Sequence, residues 1–309
     1  MDHMSFLRTA ICSGAAAFAM LASPAASDEK PLIDAAKIEA ATGLKGSFNK
    51  EENVFKVSKP RADVAIRVDG WLMPPFMGLT SWAGFTPGHD GQTMMMGDTV
   101  LFEDEVNPVM STALESGLEV TALHNHFFFD EPHVYFMHIG GLGDAGTLGE
   151  GVKKVYDKIT QIRAAQAAPQ NAFSIGKIGS PNAISSEPVE TALGVKGQAK
   201  DGMFKIVIGR PASMHGVAVG KEMGVNTWAA FAGTDAEAIV DGDFAMKESE
   251  LQTVLKAMRK ANINIVAIHH HMSQEEPRIL FLHYWGKGGA QELAKGLKDI
   301  LDAQAAIGK

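Results

Sequence analysis

The sequence predicts an α+β fold: a tandem duplication of a mainly antiparallel sheet unit with helices, the two copies packed as a pseudo-two-fold pair. Three observations carry that prediction. Residues 122–141 recur at 267–286, and an internal repeat decides the architecture before any local pattern does. In each copy, short β-branched or aromatic runs separated by Pro, Gly and Asp alternate with segments of helical period, the make-up of an α+β unit. Between the copies, residues 166–188 carry Pro169, Pro181, Pro188 and several Gly and Ser, the composition of a linker.

Taken in order, the elements of the two copies match. Residues 34–45 read as a short helix that Gly43 ends, because glycine adopts a left-handed C-cap at little cost; Ile38–Gly46 has its counterpart at Val189–Gly197. Strands are expected at 54–57, 64–71, 79–85 and 93–102, with partners at 203–208, 215–219, 225–231 and 238–244. Trp82 and Phe85 fall on Trp228 and Phe231, and Gly97-Asp98 on Gly242-Asp243. The offset between copies shrinks from 151 to 145 through these loops and holds at 145 from Gly97 to about Asp157. Val106, Val109, Met110, Ala113 and Leu114 then follow helical spacing, as do Leu251, Val254, Leu255 and Met258. A histidine-bearing hairpin comes next, and an amphipathic helix near 147–165 or 290–304 closes each copy.

The first 27 residues read as a secretory signal peptide. Arg8 precedes an apolar run from Ala10 to Leu21, and small residues lead to Asp28. That run is too short to span a bilayer. The expected organisation is therefore a signal at 1–27, a first repeat at 28–165, a linker at 166–188 and a second repeat at 189–309, in a periplasmic or secreted protein. Cys12, the only cysteine, lies inside the signal. Any metal site in the mature chain must then use His, carboxylate or Met. A formal net charge of -8 argues against nucleic acid or an anionic membrane as partner, since both ask for a basic face. That excludes one class of function and names none; the expected partner is an unidentified small molecule.

The repeated stretch holds its polar letters. His124, His126, Glu131, Pro132, Phe136, His138 and Gly141 fall on His269, His271, Glu276, Pro277, Phe281, His283 and Gly286. Packing alone would preserve the apolar frame and let polar residues drift. With 118–128 as one strand and 133–139 as the next, alternation puts His124 and His126 on one face. Partners summing near 262 would set His138 opposite His124. Three imidazoles then converge, with Glu131 as a fourth ligand or general base. His269, His271, His283 and Glu276 repeat the set. Three His and a carboxylate suit Zn, Mn, Fe, Ni or Cu(II). The plainer alternative is a set of core histidines satisfied by hydrogen bonds.

Other residues are weaker candidates. Asp98 and Asp243 could be carboxylates behind the ligands or ordinary turn residues. Glu105 and Glu250 read as acids favoured by a helix dipole. Met94-Met95-Met96 becomes Ile239-Val240-Asp241 in the second copy, which favours core packing over copper. His89 and His215 have no counterparts and read as loop residues.

The Ala-Leu-His-Asn-His…Glu-Pro…Tyr-Phe-Met-His element, the preceding Gly-Asp and acidic helix start, and the tandem copy resemble the LppY/LpqO family. That group comprises exported bacterial proteins with a tandem domain of unknown function. The resemblance spans essentially the whole mature chain and implies export without implying an activity. Lipid anchoring, known in family members named as lipoproteins, is not carried over, because the flanks of Cys12 do not suit it. Three functions follow as expectations: a metal-dependent enzyme, hydrolytic or oxygen-using; a metal-handling protein without chemistry; or a ligand-binding module whose histidines only stabilise hairpins.

Overall fold

The computed structural model describes residues 33–170 and 182–307. The segment read as a signal, and residues 171–181 of the segment read as a linker, lie outside them. The first repeat runs α1 (Ala35–Thr42), β1 (Gly46–Asn49), β2 (Val54–Pro60), β3 (Arg67–Val68), β4 (Trp71–Leu72), β5 (Thr80–Pro87), β6 (Thr93–Phe102), α2 (Glu103–Glu115), β7 (Glu119–His124), β8 (Asp130–Glu131), β9 (Val134–Gly143) and α3 (Ala145–Ala165). The second keeps the order: α4 (Ser186–Leu193), β10 (Gln198–Lys200), β11 (Met203–Gly209), β12 (Ala212–Met214), β13 (Val217–Val219), β14 (Asn226–Gly233), β15 (Ala238–Lys247), α5 (Leu251–Lys260), β16 (Asn264–His269), β17 (Glu275–Glu276), β18 (Ile279–Gly288) and α6 (Ala290–Ile307). Gly43 ends α1 with φ 70°, as its place in the sequence predicts. Helix α4 begins at Ser186, three residues inside the stretch assigned to the linker.

Twelve strands form one sheet in the order β1-β2-β5-β6-β9-β7-β16-β18-β15-β14-β11-β10. Replacing each strand by its counterpart reverses the order. At the centre, β7 meets β16 antiparallel, and Leu123 faces Ile268, its own counterpart. The fold is α+β with an antiparallel sheet, as expected.

The central strands also explain how the repeats are joined. Both carry an irregularity against their hairpin partners, between Val120 and Ala122 and between Ile265 and Ala267. A bulge leaves backbone groups outside the ladder, and buried ones must find other partners. The opposite repeat provides them. Gln252 on α5 accepts from Val120 N–H at 3.0 Å and donates to its carbonyl at 2.9 Å. Asn107 on α2 does the same for Ile265, at 2.8 and 3.2 Å. Asn107 and Gln252 are themselves counterparts, so the exchange is reciprocal. One hydrophobic core runs beneath both repeats, with Val109 and Val152 in the same cluster as Val254 and Leu297.

The helices and this core occupy one face of the sheet. The other face is covered at one end of each half by a short three-stranded sheet, β4-β3-β8 and β13-β12-β17. Small cores lie beneath these covers, around Phe102 and Phe136 and around Val225 and Phe281. The expected strand at 64–71 is thereby corrected. Asp69 and Gly70 have φ of 50° and 78°, and that turn folds the segment into the β3–β4 hairpin. His215 occupies the corresponding turn with φ 52°. The expected strand at 118–128 ends at His124, because the chain leaves the main sheet to pair Asp130 and Glu131 with Val68 and Arg67.

Glu105 and Glu250 do more than complement a helix dipole. Glu105 takes a two-point bond from Arg61, at 2.7 and 2.6 Å, and accepts Phe102 N–H at 2.9 Å. Glu250 takes the same pair from Arg210, at 2.7 and 3.0 Å, and accepts Lys247 N–H at 2.9 Å. Burial opposes the Glu250 charge, but Arg210, Lys247 N–H and Gln304 outweigh it and hold the carboxyl below its ordinary value.

Candidate metal site

The histidines stand on the open face of the sheet. His138 on β9 lies between Ala122 on β7 and Asp98 on β6. His283 on β18 lies between Ala267 on β16 and Asp243 on β15. The register therefore differs from the expected one: the partner of His138 is Ala122, and His124 is diagonal to it. Diagonal neighbours on one face stay within reach of ring side chains. The His124 and His138 centroids are 5.2 Å apart, and those of His269 and His283 are 4.8 Å apart. His126 and His271 follow the strand ends and stack on Phe136 and Phe281, at 3.3 and 3.5 Å.

The carboxylate at the rings is an aspartate. Asp98 and Asp243 sit within β6 and β15, 8% and 2% exposed, rather than in turns. The glycine before each has a packing reason. A Cβ on Gly97 would come within 2.6 Å of the Trp82 carbonyl, and one on Gly242 within 2.4 Å of the Trp228 carbonyl. Asp243, His269 and His271 bring one ligand atom each within 4.8 Å of one another, the one such trio among the described residues. Glu131 and Glu276 lie exposed on β8 and β17, paired through their backbones with Arg67 and Ser213. Of the three consecutive methionines only Met95 is in the core. Met94 and Met96 are 42% and 58% exposed, along a groove of about 470 Å³ that His89 also lines.

Hydrogen bonds orient the second set. His271 Nδ1 lies 3.2 Å from the Gly224 carbonyl and His283 Nδ1 3.2 Å from the Gly242 carbonyl. A carbonyl only accepts, so both Nδ1 atoms carry the proton, and a neutral ring then offers only a lone pair at Nε2. His271 Nε2 nevertheless lies 3.0 Å from Asp243 Oδ2 and 3.1 Å from His269 Nε2. His269, whose Nδ1 has no partner among the described residues, can carry its proton at Nε2 and donate it to His271, but the Asp243 oxygen facing the His271 lone pair needs a proton or a metal ion between them. Asp243 Oδ1 and His269 Nδ1 are buried without a hydrogen-bond partner among the described residues. Burial pushes His269 below the ordinary histidine value, against the pull of Asp243 and with help from His283, His271 and His270. His126 is lowered by burial too, against Asp98 and with His124 and His138. Neutral rings are the form that binds a metal.

The site thus belongs to a tandem α+β protein that gathers histidine and aspartate on an open sheet face. The family described as Domain of Unknown Function (DUF1259) matches residues 36–158 and 187–303, and the chain belongs to that family, holding its domain twice. No curated protein matches the chain. Among solved structures, the trimeric bacterial microcompartment shell protein PduB is 12% identical over 85% of this chain and 93% of that one, with a TM-score of 0.19. The double ringed trimeric shell protein MSM0271 from the RMM microcompartment is 12% identical over 70% and 83%, also with a TM-score of 0.19. Similarity at that level supports no inference about this chain. Among the described residues, no helix is long and apolar enough to cross a membrane.

Proposed function

We propose that the chain is an exported metal-dependent protein of the LppY/LpqO kind, holding one first-row transition metal ion per repeat. The ligands are His269, His271, His283 and Asp243 in the second repeat, and His124, His126, His138 and Asp98 in the first. The observation that carries this reading is the contact of His271 Nε2 with both Asp243 and His269 Nε2 while Gly224 occupies Nδ1. Backbone partners at Nδ1 are the usual way a protein aims imidazole at a metal. A metal on an open face could hold water or dioxygen as a further ligand. Glu131 and Glu276, exposed carboxylates five residues beyond His126 and His271, are the general bases of this reading.

Elemental analysis of protein purified without an affinity tag tests it. The expected result is up to two equivalents of Zn, Mn, Fe, Ni or Cu per chain. A metal-free protein that takes up none of these more tightly than roughly micromolar, about -8 kcal/mol, would leave the histidines as hairpin residues.

A further inference from the structure

We propose that the cleft beside the second-repeat histidines binds a small organic anion, of carboxylate or phosphate type, that reaches from two lysines to the metal; this rests on the metal reading above. The cleft encloses about 590 Å³, within the range of small-molecule sites. Its walls include His271 and Gly224, the ring and the carbonyl that orients it. Its floor continues the ligand row across the sheet: His283 pairs with Asp243, Asp243 with Trp228, and Trp228 with Val207. The Trp228 ring meets His283 edge-on at 6.5 Å. A ligand lying on Trp228 and Val207 therefore has the histidine cluster at one end.

The far end is basic in a chain of net charge -8. Lys196, Lys205 and Lys221 line the cleft against one acid, Glu222. Lys196 is already paired with Glu190 at 2.6 Å. Lys205 has no ion pair among the described residues; its ammonium rests over the Trp228 ring at 4.1 Å. Lys221 lies 3.8 Å from Glu222 with half its side chain exposed, a contact too long and too wet to neutralise it. Two ammonium groups thus remain for a ligand, with the Gln198 and Asn226 amides beside them. The first repeat keeps Lys45 and Lys56 but has Pro75 and Phe76 where Lys221 and Glu222 stand. The anion site is accordingly assigned to the second repeat alone.

Calorimetric titration of zinc-loaded protein with succinate, with glycerol 2-phosphate and with uncharged succinamide tests the proposal. At least one anion should bind and succinamide should not; the two anions separate a carboxylate site from a phosphate site. Lys205→Gln and Lys221→Gln should each weaken binding about tenfold, the loss of one charged hydrogen bond, with zinc stoichiometry unchanged. His126→Ala should leave anion binding as it is, and chelator-stripped protein should bind more weakly. Zinc-loaded protein that binds neither anion, binds succinamide equally well, or is indifferent to both lysine changes overturns the anion site. Protein that takes up no zinc overturns the metal reading instead, so the two failures are distinct.

Discussion

In the second repeat, His271 gives Nδ1 to the Gly224 carbonyl and presents Nε2 to Asp243 and His269. In the first, the described residues show no bond from His126 to Gly78. Instead His124 Nδ1 lies 3.3 Å from the carbonyl of Asn125, and the Asn125 amide donates to the Phe127 carbonyl at 2.9 Å. The first loop is tied to itself, whereas His270 in the second cannot make the same amide bond. Both repeats stack the last ring of the loop on a phenylalanine, and both bury the aspartate. The difference teaches that sheet register places the aspartate and two of the histidines in each repeat, and that the loop after the strand decides how the third histidine is held.

The buried acids offer the largest test of how deep the difference goes. Glu105 faces two guanidiniums, with Arg163 Nε at 2.9 Å in addition to Arg61. Glu250 faces Arg210 and the neutral Gln304, at 2.8 Å. Removing one partner of a buried pair strands the other charge, at about 3–5 kcal/mol. Glu105→Gln should lose stability in that range in urea unfolding. Glu250→Gln should lose less, because the Arg210 side chain is 20% exposed against 5% for Arg61. Equal losses would mean that the two ion pairs do not share in the divergence of the repeats.

The proposed metal ligands come next. Loss of a group behind a ligand typically weakens metal binding about 10–100-fold, so loss of a ligand should exceed that. His271→Ala is expected to remove about one equivalent of zinc and leave the first repeat's metal, and His126→Ala to do the reverse. Competition with a chelator reads both. If either change abolishes all binding, the repeats share one site and the comparison collapses. Thermal stability should fall only when zinc is present, since a ligand stabilises the state it binds.

How much of this the sequence disclosed depended on the kind of signal. The duplication, the helix ending at Gly43 and the histidine strands were readable, because offset and periodicity record them directly. The register of His138 was not, because a bulge at Val120–Ala122 leaves no mark in the pattern of apolar residues. Asp98 and Asp243 are visible as repeated letters, but Gly-Asp reads equally as a carboxylate behind the ligands or as a turn; only the close approach of the Trp82 and Trp228 carbonyls shows why a glycine precedes each. Arg61 and Arg210 match at an offset of 149, but they lie where the offset is still changing, so nothing in the pattern of letters sets them apart.

A smaller effect lies in the acid range. Glu250 is held below its ordinary value, with desolvation outweighed by Arg210, Lys247 N–H and Gln304. Its contribution to stability is complete above the unfolded-state value, near 4.3 for glutamate, and is lost as pH falls through the lower folded value. Glu250→Gln should therefore be less stable than the parent near neutral pH, and the gap should narrow as pH drops below about 4. A gap that stays constant down to about pH 2 would assign the loss to packing rather than to the charge.

The smallest expected effect concerns the rims of the two sites. Phe76, Phe128 and Phe129 are 97%, 78% and 78% exposed in the first repeat, where the second carries Glu222, Ser273 and Gln274. Exposed rings bury almost nothing that folding could gain from, so Phe76→Glu and Phe128→Ser, each importing the second repeat's residue, should change stability by no more than about 0.5 kcal/mol. Zinc stoichiometry should not change, since no ligand is touched. What should fall is the binding of an apolar dye such as ANS, because these rings are exposed apolar surface that the second repeat lacks at the matching positions. Conversely, Glu222→Phe should raise dye binding at the second site and leave stability within the same limit. A loss well above 1 kcal/mol from either phenylalanine change would show that the aromatic rim packs against the protein, and the contrast between an apolar first rim and a charged second one would have to be withdrawn.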